Sequence, residues 1–532
     1  MKPFSRLLAT GAIFNLLMIL PTWWRDGQSG TTWLIPEVWL IVGLVALVRL
    51  PNALQSAWLM VVSLLMTLII ASLLGDALVW QVLSRPLNIL LDPLLLAAGY
   101  RLLAGSLGNP AAVLIALLTA AIAIGLVMLV FRLLGAMVST IAPANADANL
   151  STGHRWKPAG LMVAASLIIM ASTAGQPPTA SIRPVLIQLA VEQTRQVEIT
   201  LSSRQRLLER AQASDMQARP LPGLAGRDVI IVFIESYGIS ALDQSRYSKI
   251  IRPGLATAER QLAQRGLGMV SGRLTAPIRG GQSWLSHATF LSGQRIDNDY
   301  WYRLLLDSGQ AMMTDDFRAT GHTTLIIAPA IVRPWPEAGK LGFDAVYPAA
   351  ALAYQGQSTG WVTMPDQYTL FQYSRRLRPR HHEPVFAALT LISSHAPWTP
   401  GPPLLDDWSR LDDPTVFDDW TPPERDPLAF WRNTDRLRER YAQSLDYSLK
   451  SAFGWARHFL PDDALMIVVG DHQAASLITG RDADAEVPIH IISGSKELLL
   501  GFRQRGFENG LLTADRAPVH RMEEVRVWLQ SL

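Results

Sequence analysis

The residues best suited to chemistry lie within 280–293, GGQSWLSHATFLSG. Two glycines lead into Ser283, an apolar-periodic run of Leu285, Ala288, Phe290 and Leu291 follows, and Gly293 closes it. The pattern predicts a tight loop that delivers Ser283 to the start of a helix. A helix start offers unpaired backbone N–H groups and a partial positive charge, both favourable to an anion. Serine is a weak nucleophile until something lowers its pKa, and with no base beside it the expected activator is a metal ion. By itself the stretch reads more readily as a helix with Ser283 as its N-cap.

Two further stretches change that balance. Residues 228–238, DVIIVFIESYG, are an apolar run ending in Glu235, and residues 464–473, ALMIVVGDHQ, another ending in Gly470-Asp471-His472. Continuous apolar runs suit strands buried on both faces of a parallel sheet. Ligands of open α/β sheets bind outside the carboxyl ends of the strands, where Glu235, Asp471 and His472 are expected to fall. Each alone is also an ordinary strand end or cap. Together they are the expected ligands of one divalent cation, with Ser283 Oγ as both ligand and nucleophile. Oxygen ligands with one imidazole suit Mn²⁺ or Zn²⁺ better than Ca²⁺.

The elements that must position these residues divide the chain in two. From Asp228 onward, strand-like runs at 228–234, 323–328, 385–392, 464–469 and 487–492 alternate with helical patterns. This predicts an α/β domain over 225–532, a mainly parallel sheet flanked by helices. Residues 400–428, rich in Pro, Asp and Trp, read as a long surface loop, and 429–457 as a helix with Tyr441, Leu445 and Leu449 on one face. His490, inside VPIHII, reads as a hydrogen-bonded core histidine.

The first 175 residues are different. Hydrophobic residues make up 49% of the 532 and mean hydropathy is +0.19, with the apolar weight at the front. Five runs, 7–24, 33–48, 57–80, 111–130 and 160–174, predict a helical membrane domain over 1–175. Residues 85–108 are apolar but carry Arg85, Asp92, Pro93 and Arg101, and read as an interfacial or re-entrant helix. With five spans, Lys2, Arg6, Arg49, Arg132, Arg155 and Lys157 share one side, which predicts a cytoplasmic N-terminus, an inner (plasma) membrane location and an extracytoplasmic α/β domain. Residues 176–224 are expected to link the two as a helix with a solvated face, ending near Pro220 and Pro222. A net charge of +3 gives no reason to expect nucleic acid as a partner, and the absence of cysteine excludes disulfides, thiolate metal sites and a Cys nucleophile.

The strand-end Glu235 in FIESYG, the Gly281-Gln282-Ser283 turn and Gly470-Asp471-His472 together resemble the alkaline phosphatase/sulfatase superfamily. Over about residues 225–500 the chain is most similar to the membrane-anchored lipoteichoic acid synthase and phosphoethanolamine transferase group. True sulfatases differ: His287 stands where they carry arginine, and position 285 is not proline. The resemblance implies a sulfatase-like catalytic domain and a transferase that moves phosphoethanolamine or phosphoglycerol from a phospholipid donor to an envelope glycan or lipid acceptor. It implies a phospho-serine on Ser283 and a manganese or zinc ion. It also implies that His395, in SSHAPW, contacts the substrate phosphate or assists the leaving group. Arg333 and Trp335, in VRPWPEAGKLGFD, fall near where lipoteichoic acid synthases carry a Trp-Asn-Arg group that contacts glycerol phosphate, though in a different order and spacing. The alternatives are a sulfatase-like hydrolase or phosphodiesterase, and a non-enzymatic accessory protein of polysaccharide export.

Overall fold

A computed structural model describes residues 3–26, 32–48, 50–83, 85–141, 152–173, 181–212, 217–358, 362–399, 401–421, 433–512 and 518–532. The expected Lys2, Arg49 and Ala174, residues 176–180 and 213–216 of the linker, and residues 400 and 422–432 of the expected loop and helix lie outside them. The chain forms two compact units, one within residues 1–202 and one made chiefly of 203–532.

The first unit is helical: α1 (Pro3–Asp26), α2 (Pro36–Leu47), α3 (Asn52–Leu83), α4 (Leu95–Leu107), α5 (Asn109–Ile141), α6 (Thr152–Thr173) and the start of α7 (Val185–Gln212). Among the described residues, three segments are long and apolar enough to cross a membrane: Leu7–Asp26, Ala53–Leu83 and Asn109–Ile141. They mark the chain as a membrane protein. The other two expected spans fall on shorter apolar helices, Pro36–Leu47 and Lys157–Thr173. The reason for the first is local. Pro36 sets the helix start, and 12 residues reach only about 18 Å of the roughly 30 Å hydrocarbon layer. α2 is instead a packed core helix, with Val38, Val42, Val45 and Ala46 buried. The 85–108 segment holds a short 3₁₀ turn, Asp92–Leu94, and then α4, whose 13 residues are also short of a span.

Several charged groups in this unit are paired, as a low-dielectric setting favours. Arg25 meets Asp76 at 2.8 Å and Arg183 meets Asp26 at 3.1 Å. Glu37 accepts from the backbone N–H groups of Leu186 and Ile187 at 2.9 and 3.2 Å, satisfying donors that the first turn of α7 leaves open. Gln193 of α7 donates to Leu87 O and accepts from Ile89 N. The early part of the expected linker is thus packed into the helical unit rather than solvated on its own.

The second unit is built on a mixed, mostly parallel sheet of nine strands. The strands are β1 (Val229–Ile234), β2 (Gly268–Thr275), β3 (Thr323–Ala328), β4 (Ala345–Pro348), β5 (Val385–Leu391), β6 (Leu465–Gly470), β7 (Glu486–Ser493), β8 (Glu508–Asn509) and β9 (Val519–Arg521). The order is β4-β3-β5-β1-β6-β7-β2-β8, with β9 also on β2. β4, β3, β5, β1 and β6 run parallel, whereas β7 pairs antiparallel with both β6 and β2.

β1 reads VIIVFI because it is buried on both faces. Ile230, Val232 and Ile234 enter one core with the helices Ser245–Gln264 and Thr434–Phe459; Val229, Ile231 and Phe233 enter the other with Ser283–Ser292 and Val525–Gln530. Each such side chain contributes about 1.5–3 kcal/mol by leaving water. The Pro- and Asp-rich segment after Gly401 is less open than its composition suggests, since Trp408, Leu411 and Phe417 are buried in the first of these cores.

Candidate active site

β1 and β6 are neighbours with Ile234 opposite Gly470, so the next residues, Glu235 and Asp471, emerge side by side at the carboxyl edge. Strand alternation places both on the face that carries Phe233 and Val469. The helix Ser283–Ser292 packs on that face through Leu285, Ala288 and Leu291. The approach is close: a Cβ on Gly470 would lie 1.9 Å from Tyr237 O, and one on Gly238 1.8 Å from Gln473 Oε1. Only glycine lets the two strand-end turns meet backbone to backbone.

The loop into the helix is fixed from the same side, with Gly280 N donating to Gln473 O at 2.9 Å. Gly280, Gly281 and Gln282 then take φ of +77, +133 and +65°. These consecutive left-handed values turn the chain sharply and make Ser283 the first helical residue. Gln282, which has a Cβ, stores about 1–2 kcal/mol of strain there.

Ser283 Oγ donates to Glu235 Oε2 at 2.8 Å and lies 3.1 Å from His472 Nε2. His472 Nε2 is 3.3 Å from Glu235 Oε1 and 3.7 Å from Asp471 Oδ2. Asp471 Oδ1 accepts from Ser236 N at 2.8 Å and from His472 N at 2.7 Å, so its other oxygen faces the cluster. Ser394 Oγ donates to Glu235 O at 2.6 Å and Tyr441 OH to Ser236 O at 2.9 Å, which fixes the turn from behind.

Three buried ionisable groups share this space. Burial pushes the Glu235 carboxyl up, but the charges of His472 and His395 and the hydrogen bonds from His472 and Ser283 outweigh it and hold the group below the usual carboxylate range. Asp471 is pushed up to about 8 by burial and by the charge of Glu235. His472, which burial would depress, is raised to about 9 by the two carboxylates.

A divalent ion fits these residues. Ligand atoms of Glu235, Asp471 and His472 all lie within 4.8 Å of one another, with the Ser283 hydroxyl in hydrogen-bond contact with two of them. His472 Nδ1 donates to Gln473 O at 2.8 Å, which fixes the tautomer and reserves Nε2 for a ligand bond.

His395 reaches the same edge. It follows β5, the other neighbour of β1; its Nδ1 donates to Ala396 O at 2.7 Å, and its charge bears on Glu235. Arg333 and Trp335 lie in the loop after β3, further along the edge. Trp335 packs against the same core as Trp284, the residue beside Ser283, while Arg333 is exposed. Among the described residues, no hydrogen bond or ion pair joins Arg333 to Glu235, Ser283, Asp471 or His472. His490 is fully buried between Tyr237 OH at 3.0 Å and Ser271 Oγ at 2.7 Å, a satisfied core histidine. Sequence reasoning gave no part to Gln473, whose carbonyl ties the Gly280 loop to His472, or to Ser236 and Ser394. The one signal was their adjacency to residues it did single out.

No protein-family model matches the chain, and no curated protein does. Solved structures similar to it include two transferases and a synthase. The integral membrane lipooligosaccharide phosphoethanolamine transferase A (EptA) of Neisseria meningitidis is 12% identical, with 98% of this chain and 95% of that one covered at a TM-score of 0.48. The lipoteichoic acid synthase LtaP of Listeria monocytogenes is 12% identical, covering 57% and 71% at 0.38. The Streptococcus pyogenes phosphoglycerol transferase GacH, in complex with sn-glycerol-1-phosphate, is 12% identical, covering 62% and 89% at 0.34. The chemistry of the site rests on its own residues.

Proposed function

We propose that this protein is a metal-dependent transferase that moves phosphoethanolamine or phosphoglycerol from a phospholipid to an envelope glycan or lipid, through a phospho-serine at Ser283. The observation that carries the reading is the placing of Ser283 Oγ, on the first residue of a helix, between Glu235 at 2.8 Å and His472 at 3.1 Å. Asp471 completes the set in a chain that also carries membrane-length helices.

Glu235, Asp471, His472 and Ser283 would hold one Mn²⁺ or Zn²⁺ ion. When bound, it supplies charge neutralisation of the phosphodiester and a lowered pKa for the Ser283 hydroxyl. The helix N–H groups behind Ser283 grip phosphoryl oxygens. Ser283 Oγ forms its bond to phosphorus as the bond from phosphorus to the donor's glycerol oxygen breaks, and diacylglycerol leaves with a proton. In this reading His395 contacts the phosphate or protonates that oxygen, and Arg333 and Trp335 line the headgroup side. An acceptor hydroxyl then displaces Ser283 Oγ from phosphorus, giving ping-pong kinetics.

The test is incubation of the full-length protein with phosphatidylethanolamine and phosphatidylglycerol vesicles side by side. Diacylglycerol release from one of them and a phospho-adduct on the peptide carrying Ser283 are expected. Ser283→Ala should keep metal and lose turnover by at least about 10³-fold, Ser283→Thr should keep part of it, and Asp471→Ala should lose the metal. Two hydroxyls further along the helix serve as controls. Ser286 Oγ is buried without a partner, so Ser286→Ala should be silent. Thr289 Oγ1 accepts from Ile296 N at 2.9 Å, so Thr289→Ala should cost about 1–3 kcal/mol of stability while the folded protein still turns over. An adduct on Ser286 or Thr289, or full activity in Ser283→Ala, refutes the reading.

A further inference from the structure

Among the buried polar atoms beside the site that lack a partner is one on an imidazole. His287 lies four residues beyond Ser283, on the same face of the helix and one turn deeper. Its ring packs on Phe233 with centroids 4.3 Å apart, and Phe290, on the next turn, meets the same ring at 5.3 Å. Phe233 and Glu235 alternate to the same face of β1, so the imidazole packs on the face that carries Glu235, whose charge bears on it. His287 Nε2 is buried with no hydrogen-bond partner. The charged groups that bear on it are Glu235 and His472, and burial lowers its pKa to about 4, so the ring is neutral. A buried orphan of this kind calls for a physical reason.

The hydrogen bonding of Glu235 supplies one. The carboxylate now faces Ser283 Oγ at 2.8 Å, Ser236 Oγ at 3.0 Å and His472 Nε2 at 3.3 Å. If Ser283 and His472 turn lone pairs to a cation, Glu235 keeps only Ser236 Oγ and needs another donor on its inner side. We propose that His287 is a positioning residue for Glu235, whose Nε2–H holds the carboxylate once Ser283 and His472 engage the metal. The proposal rests on the metal reading of the site. A donor paired in this way fixes the orientation of a ligating carboxylate and keeps it in its charged form.

Three substitutions test it in the full-length protein. His287→Phe keeps a ring against Phe233 and removes the N–H. His287→Gln places an amide nitrogen near the position of Nε2, and His287→Asn places one near Nδ1. Affinity for Mn²⁺ and for Zn²⁺ is read by chelator competition without substrate, with melting curves to compare folding. We expect the Phe and Asn variants to bind metal about 10–100-fold more weakly and the Gln variant to stay near wild type. If His287→Phe fails to fold, the contrast between Gln and Asn decides. Wild-type affinity in the Phe variant, or equal affinities in the Gln and Asn variants, overturns the proposal. A wild-type protein that binds neither metal overturns the functional reading itself.

Discussion

His490 illustrates how one buried side chain ties stability to pH. It is fully buried among Tyr237, Ser271 and Phe453, and burial alone lowers its pKa to about 3. Unfolded, the same group titrates near 6.5. Between those values the unfolded chain takes up a proton that the folded chain refuses, so stability is complete above about 6.5 and falls as pH drops toward 3. The slope is about 1.4 kcal/mol per pH unit for this one group. Melting curves of wild type and His490→Gln between pH 7 and pH 5 should show the variant losing about 2 kcal/mol less than wild type; equal losses would mean His490 charges freely while folded. The sequence made His490 legible as core because apolar neighbours flank it on both sides. Glu235, Asp471 and His472 were legible for the opposite reason, each ending an apolar run. Gln473 and His287 were not, because what they do depends on a carbonyl and on a ring stack, which residue type does not encode.

Among the elements, the helix Asp366–Gln372 governs the loop that bears His395. Asp366 is fully buried and accepts from Ile392 N at 2.8 Å, Ser393 N at 3.0 Å and Ser448 Oγ at 2.6 Å, while its own N–H donates to Ser393 Oγ. One carboxylate thus fastens the end of β5, two residues before Ser394 and His395, to the helix Thr434–Phe459. Asp366→Ala strands two buried N–H groups and should cost about 3–5 kcal/mol. In hydrogen exchange it should loosen residues 392–396 before the rest of the sheet; unchanged protection there would sink this account. The five apolar strands were readable from sequence, but the direction of β7 was not, since VPIHII looks the same whichever way it runs. β2 escaped notice because Ser271, Gly272 and Arg273 break its apolar run. Ser271 serves His490, Gly272 lies against Phe507, and Arg273 pairs with Asp243 at 3.1 Å. The expectation of two further spans failed at Pro36 and in the shorter apolar part of α6, where run length was read without the helix ends.

For the whole molecule, three spans or five leave the termini on opposite sides of a bilayer, because either number is odd. With Arg6 on the N-terminal side under either count, we expect a periplasmic-type reporter fused after Leu532 to be active, and a cytoplasmic one silent. The reverse result would place the candidate site on the wrong side for envelope acceptors.

The position of β1 between β5 and β6 has a consequence for how the protein is made. Ser236 and Asp471, joined by one hydrogen bond at the site, are 235 residues apart in sequence. As the chain emerges from its N-terminus, VIIVFI arrives early with both edges unpaired and both faces apolar, and neither neighbour exists until much of the remaining chain has followed. Contacts so distant in sequence form slowly, and a bare apolar strand in the meantime is a template for aggregation. We expect shielding of this segment, as by a holding chaperone, to raise the yield of folded protein. Chains cut short before residue 465 should accumulate as aggregates, without a metal site and without activity.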